Sequence, residues 1–192
     1  MNLLPIDFNK YAKEYAREMK NIEKYFKDNF SLPIYPIYGT LIGVLREGRF
    51  VRTDDDIDFA YLSAKHEEQE VIKEMEMIYD KLEKDGLLAN RKDMIGQAWV
   101  LPPNKSMMAD IWTSYIDESG KYFSVSMGKG EFHKDTVLPF VKGKLEDQEF
   151  LIPRNSEALL RLWYLNWEVP MDKSTCTPMK PQVRRFLTKK NK

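Results

Sequence analysis

Between residues 38 and 59 the chain runs Tyr38-Gly39-Thr40-Leu41-Ile42-Gly43-Val44-Leu45-Arg46, stops at Gly48, and continues Thr53-Asp54-Asp55-Asp56-Ile57-Asp58-Phe59. The acidic residues alternate with apolar ones. Strand side chains point to opposite faces with period 2, so this pattern predicts a strand with Asp54, Asp56 and Asp58 on one face and Ile57 and Phe59 packed beneath it. Carboxylates crowded on one face repel one another unless a cation sits among them. Oxygen ligands of this kind suit Mg2+ or Mn2+. The chain must therefore fold so that this face reaches a cleft, because a buried and uncompensated set of charges would be costly.

The preceding segment supplies the other half of such a site. Ile34 to Tyr38 reads as a strand and Leu41 to Glu47 as a short helix. A strand–Gly–Thr–helix junction exposes backbone N–H groups at a helix N-terminus, which attracts anions. Gly39 lets a phosphate come close to the backbone. A lone Gly-Thr turn is usually only a turn, and an acidic run is usually a solvated loop. Here the two lie about twenty residues apart, and the acids are interleaved with Ile57 and Phe59. Together they describe a site for a metal-bound phosphate ester.

The rest of the chain reads as an α+β domain. Tyr11, Tyr15, Met19, Ile22 and Phe26 form one apolar stripe and predict a helix over Phe8 to Phe30. Ser63 is placed to cap a second helix, Ala64 to Lys84, with Glu67, Glu68, Glu70, Lys73, Glu74 and Glu76 on its solvated face. Gln97 to Leu101 and Met107 to Ser114 predict a hairpin, and Lys121 to Ser126 a further strand. A last helix runs from Ser156 to about Leu165, capped by Asn155 or Ser156. Asp110 is an isolated acid in an apolar strand. It either faces the site or is satisfied locally. Lys129, His133 and Lys134, on the segment around Gly128 to Asp135, are placed either to contact a phosphate or simply to face solvent.

Composition narrows the function. At 192 residues with 43% hydrophobic residues, the chain can bury one core. We expect a catalytic domain over 1–170 and a basic tail over 171–192, where seven Lys or Arg face one Asp. A formal net charge of zero gives no support for a nucleic-acid partner. One cysteine, Cys176, and two histidines argue against a disulfide framework or a zinc site. The start of the chain lacks a signal peptide's basic and apolar regions, and no run approaches membrane-spanning length. The expected compartment is the cytoplasm. The basic tail reads either as a solvated, partly disordered end or as a segment suited to attraction to an anionic membrane face.

The stretch Gly39-Thr40-Leu41-Ile42-Gly43-Val44-Leu45-Arg46, Gly48-Arg49-Phe50-Val51 and Asp54-Asp55-Asp56-Ile57-Asp58 resembles the signature of the LicD family. That family includes bacterial phosphocholine transferases and is related to fukutin and fukutin-related protein. Met108-Ala109-Asp110-Ile111-Trp112 resembles the family's later acid-bearing strand. Val137-Leu138-Pro139-Phe140, Phe150-Leu151-Ile152-Pro153 and the segment Trp163 to Pro170 resemble its C-terminal region. The chain departs from the usual pattern at Arg52-Thr53, where many members have Pro-Trp, and at Tyr164-Leu165-Asn166, where Tyr-Gly is more usual.

The resemblance implies a nucleotidyltransferase-like fold, a mixed β-sheet packed against helices. It further implies transfer of a phospho-alcohol group, such as phosphocholine, from a CDP-linked donor such as CDP-choline. The acceptor would be a hydroxyl of a cell-surface glycan (capsule, lipopolysaccharide or teichoic acid). Asp56, Asp58 and Asp110 would hold Mg2+ or Mn2+, Gly39 and Thr40 would bind the donor phosphates, and Arg46, Arg49 and Arg52 would either neutralise charge on the departing nucleotide or serve as surface or structural arginines. Two alternatives stand beside it: a true nucleotidyltransferase using CTP or another NTP, and a non-catalytic module that binds glycan or a partner.

Overall fold

The computed structural model describes residues 6–92, 96–124, 132–164 and 166–169. The expected basic tail, Cys176 and Lys129 lie outside the described residues. The elements, in chain order, are α1 (Phe8–Phe30), β1 (Ile34–Pro36), α2 (Tyr38–Glu47), β2 (Asp58–Leu62), α3 (Glu68–Lys84), β3 (Leu88–Lys92), β4 (Gln97–Val100), β5 (Ala109–Ile116), β6 (Lys121–Ser124), β7 (Phe132–His133), β8 (Val141–Leu145), β9 (Gln148–Ile152) and α4 (Ser156–Trp163).

The expected α+β class is what forms. A seven-stranded sheet runs β1-β2-β5-β4-β3, with β6 and β7 continuing from the far half of β5. Among the described strands of this sheet, β2 and β5 pair in parallel and the other pairs are antiparallel. A parallel neighbour needs a long crossover, and the α3–β3–β4 excursion provides it. Strands β8 and β9 form a separate hairpin. The helices cover the sheet and bury a core that includes Phe26, Tyr35, Phe59, Tyr61, Tyr79 and Phe150.

Helix α1 follows its stripe from Phe8 to Phe30, and Asp7 caps it by accepting from the Asn9 N–H. Helix α3 starts four residues later than expected, at Glu68. Ser63 does not cap it. Its hydroxyl instead donates to Glu74 and accepts from the Lys65 N–H at 3.0 Å. Glu74 is buried, at 8% exposure, and does not sit on the solvated face. Asn155 caps α4, accepting from the Ala158 N–H.

Two features fix the segment that feeds the acidic run. Helix α2 begins at Tyr38, whose φ is 46°, and ends at Gly48 in the left-handed region, φ 65°. The chain then doubles back so tightly that a Cβ at Gly43 would overlap the Arg49 carbonyl oxygen. Phe50 stacks on Phe8 at 4.5 Å between ring centroids, and its N–H donates to Glu146 Oε1 at 3.1 Å. Glu146 sits at the β8–β9 turn with φ 56°, and its own N–H donates to the Gly48 carbonyl at 2.7 Å.

Gly43→Ala tests this close return. Helix propensity alone would favour alanine by roughly 1 kcal/mol. The overlap with backbone should outweigh that and give a net destabilisation of about 1–3 kcal/mol in denaturant unfolding. An unchanged or more stable variant would show that the return has room to spare.

Candidate active site

The acidic residues gather where α2 begins and where β2 and β5 lie side by side. Asp58 is the first residue of β2 and is in register with Asp110 of β5. Adjacent positions in a parallel pair place both side chains on one face. The Asp110 N–H donates to the Ile57 carbonyl at 2.8 Å, which closes the ladder at this end. Thr40 ties the helix to the strand, since its hydroxyl accepts from the Asp58 N–H at 3.0 Å.

Asp54, Asp55 and Asp56 precede β2 in a loop rather than extending the strand. The strand expected over the whole acidic run therefore begins four residues late. The reason is pairing. On one side β1 reaches only to the Pro36–Phe59 pair, and on the other β5 begins its pairing with β2 at Asp110. Residues before Asp58 have no ladder to join. A turn closed by the Asp54 N–H on the Val51 carbonyl, 3.0 Å, bends the chain instead. The loop still brings acids together: Asp54, Asp55 and Asp56 each offer a carboxylate oxygen within 4.8 Å of the others.

Electrostatics joins this loop to the strand residues. Asp58 is 7% exposed. Burial first, then the charges of Asp56, Asp110 and Asp54, hold its carboxyl well above the usual carboxylate range, while the Trp112 N–H pulls the other way. The groups that act most on this buried acid are thus three more carboxylates and one neutral donor. A divalent cation would relieve that repulsion; the oxygen chemistry of these acids suits Mg2+ or Mn2+, while among the described residues the carboxylate oxygens gathered within 4.8 Å of one another are those of Asp54, Asp55 and Asp56, with Asp58 and Asp110 outside that group.

The N-terminus of α2 has Ile37 as its cap residue, with no side-chain cap bond. An anion does stand there, and it is the chain's own Asp54: a Cβ on Gly39 would collide with its carboxylate. The closeness expected of Gly39 toward a phosphate is used here by a side chain. Tyr38, half-buried beside it, packs edge-on against Trp112 at 5.7 Å and at a tilt against Trp163 at 4.6 Å. Burial and the nearby Asp58 charge keep its hydroxyl protonated well above the usual tyrosine range.

Two neutral side chains hold the strand acids. Gln97 Nε2 donates to Asp110 Oδ2, and Trp112 Nε1 donates to Asp58 Oδ1 at 3.0 Å. Neither was singled out from the sequence by function. Gln97 opens a predicted strand and Trp112 closes a quoted motif, but their reach to the acids depends on register across the sheet.

The three arginines take other places. Arg52 donates to the Phe8 carbonyl and pairs with Glu146 at 3.1 Å. Arg49 pairs with Glu47 in solvent. Arg46 lies near the C-terminal end of α2, with Glu47 at 3.9 Å, and is about 10 Å along the helix from Gly39. The ion pairs of Arg52 and Arg49 are thus made with glutamates outside the aspartate set. Arg52 locks the loop 48–53 between α1 and the β8–β9 turn. His133 pairs with Asp135 at 2.9 Å and packs on Gly120. It belongs to the β6–β7 end of the sheet, roughly 20 Å along β5 from Asp110, and Lys134 follows it there.

The family model described as "LicD/FKTN/FKRP, nucleotidyltransferase domain" matches residues 32–155. Among solved structures, the lincomycin-bound crystal structure of lincosamide antibiotic adenylyltransferase LnuA is similar over 75% of this chain and 82% of that chain, with 17% sequence identity and a TM-score of 0.48. No curated protein matches the chain.

Two variants separate the roles assigned here. Asp58→Asn should stabilise the metal-free protein at neutral pH. The sign follows from linkage: a carboxyl with a raised folded pKa favours folding below its unfolded pKa, and that contribution is lost as pH rises through the raised value. The advantage of asparagine should therefore shrink as pH falls toward the ordinary carboxylate range. A melting comparison across pH that shows no such trend would contradict the crowding of Asp58. Arg52→Met should cost about 1–3 kcal/mol in stability by leaving Glu146 short of its partner. A stable variant with weakened donor binding would instead return Arg52 to the phosphates.

Proposed function

The chain belongs to the LicD/FKTN/FKRP nucleotidyltransferase family, and on that premise we propose that it is a metal-dependent transferase moving a phospho-alcohol group, such as phosphocholine, from a CDP-linked donor to a hydroxyl of a cell-surface glycan. The observation that carries this reading is the buried Asp58, its charge crowded by Asp56, Asp110 and Asp54 at the start of α2.

Asp56, Asp58 and Asp110 are the ligands of Mg2+ or Mn2+, with Asp54 close by. A divalent ion held there would draw charge from the diphosphate and from the departing nucleotide. The first-turn N–H groups of α2, at Gly39 and Thr40, are the backbone donors offered to donor phosphate, which would have to share this end of the helix with the Asp54 carboxylate that stands against Gly39. Thr40 also keeps Asp58 at the head of the strand. Asp110 is half-exposed, so an acceptor hydroxyl can approach it. It either completes the ligand set or takes the proton of that hydroxyl. Attack on the phosphorus distal to the nucleoside forms the new ester, breaks the diphosphate and releases CMP.

The family domain's description as a nucleotidyltransferase domain favours a second reading. Attack at the phosphorus next to the nucleoside, with CTP or another NTP as donor, would transfer the nucleotide itself. The same acids serve either reaction.

The test is an assay of purified protein with Mg2+ and either CDP-choline or CTP, together with a glycan acceptor. We expect CMP release from CDP-choline. Diphosphate release from CTP would support the second reading. Asp56→Ala and Asp58→Ala should each lower turnover by about a hundredfold or more, as loss of a main electrostatic group does elsewhere. Near-normal rates in both would refute the metal assignment.

A further inference from the structure

We infer that Gln97 and Trp112 are positioning residues for the metal-binding acids: each fixes one oxygen of a strand carboxylate and so sets the direction in which the other is offered to the ion. This rests on the proposed metal-binding reading and extends it to residues outside the acidic set.

The geometry is a small lattice on one face of the sheet. Asp58 and Asp110 are register partners across the parallel β2–β5 pair. Gln97 and Trp112 are register partners across the antiparallel β4–β5 pair. Since Asp110 and Trp112 are two apart on β5, all four side chains share that face. Trp112 then reaches from β5 to Asp58 on β2, and Gln97 reaches from β4 to Asp110 on β5. The two donors thus cross the strand boundaries on either side of β5. Each holds one oxygen, Asp58 Oδ1 and Asp110 Oδ2. A carboxylate with one oxygen fixed has its plane and its second oxygen fixed as well.

Both donors are neutral. A lysine or arginine here would orient a carboxylate equally well, but it would also neutralise it and compete with a divalent ion. An amide and an indole orient the acid and leave its charge in place. Partners of this kind hold metal ligands in other proteins and change metal affinity when removed. Gln97 is 5% exposed, and a buried amide is stable only when bonded, so Asp110 also accounts for its presence. Trp112 is braced in turn. Tyr38 packs on it edge-on, and Trp163 of α4 packs on Tyr38. A chain of aromatic contacts therefore runs from α4 through the start of α2 to the oxygen of Asp58.

The experiment is a Mn2+ titration of the full chain without donor, read by electron paramagnetic resonance of the free ion and paired with thermal melting of the metal-free protein. Gln97→Met keeps the side-chain size and removes the amide donors. Trp112→Phe keeps an aromatic ring and removes the N–H. Asp58→Ala serves as the control for the metal site itself. We expect each positioning variant to bind Mn2+ roughly 10- to 100-fold more weakly, with melting close to wild type, while Asp58→Ala loses binding. If wild type binds and Asp58→Ala does not, yet both positioning variants bind like wild type, the inference is overturned and the metal reading stands. If wild type and Asp58→Ala bind alike or not at all, the metal reading falls and takes the inference with it. Weaker binding matched by a comparable loss of melting temperature in both variants would also overturn it, because the donors would then be supporting the fold. If one variant fails to fold, the other decides.

Discussion

Like charges repel, and yet this chain sets Asp110 in register with Asp58 and places Asp56 where its charge also acts on Asp58, which is almost entirely out of water. A fold driven only by burial would place an apolar residue at the head of β2. The cost of crowding is accepted locally and offset elsewhere by apolar packing. Phe59 and Ile57 are buried on either side of Asp58, and Thr40 satisfies its backbone N–H. The parallel pairing of β2 with β5 is what forces Asp58 and Asp110 into register. The loop before β2 adds its own acids only because Phe50, Glu146 and Arg52 anchor it to α1 and to the β8–β9 turn. Site and scaffold are therefore coupled through a few named contacts.

Much of this could be read in the sequence, and the divisions are physical. Local signals gave local structure: the stripe of α1, the stop at Gly48, the pairing of β4 with β5 and the cap at Asn155 all depend on near neighbours. Asp58 is a candidate from the alternation of the acidic run, and Asp110 mainly from the resemblance to the LicD family, since its own surroundings leave a local partner equally open. What could not be read is long-range. The partner of Glu146 lies 94 residues away at Arg52, and no spacing rule connects them. The parallel neighbour of β2 is reached only after α3, β3 and β4. The reach of Gln97 and Trp112 to the acids follows from cross-strand register, which one strand's sequence does not contain.

Two expectations were altered by competition between partners. The alternation at Asp54, Asp56 and Asp58 looks like strand, but a strand needs a ladder, and none exists before Asp58. Arg52, beside the acidic run, is tied to the buried Glu146 and to the Phe8 carbonyl, partners that its neighbours in sequence do not reveal. Ser63 shows the same logic on a smaller scale. Its hydroxyl could cap a helix, and it serves the buried Glu74 instead. For Ser63 the residue type was suited to the expected role and a tertiary partner prevailed.

The account depends on the carboxylates at the head of β2 being a cation site. The most direct measurement is crystallographic: anomalous scattering from crystals grown with Mn2+. The account predicts a single strong anomalous peak bounded by oxygens of Asp56, Asp58 and Asp110, with Gln97 and Trp112 still bonded to their acids. Mn2+ elsewhere, with these carboxylates held only by protein partners, would contradict it.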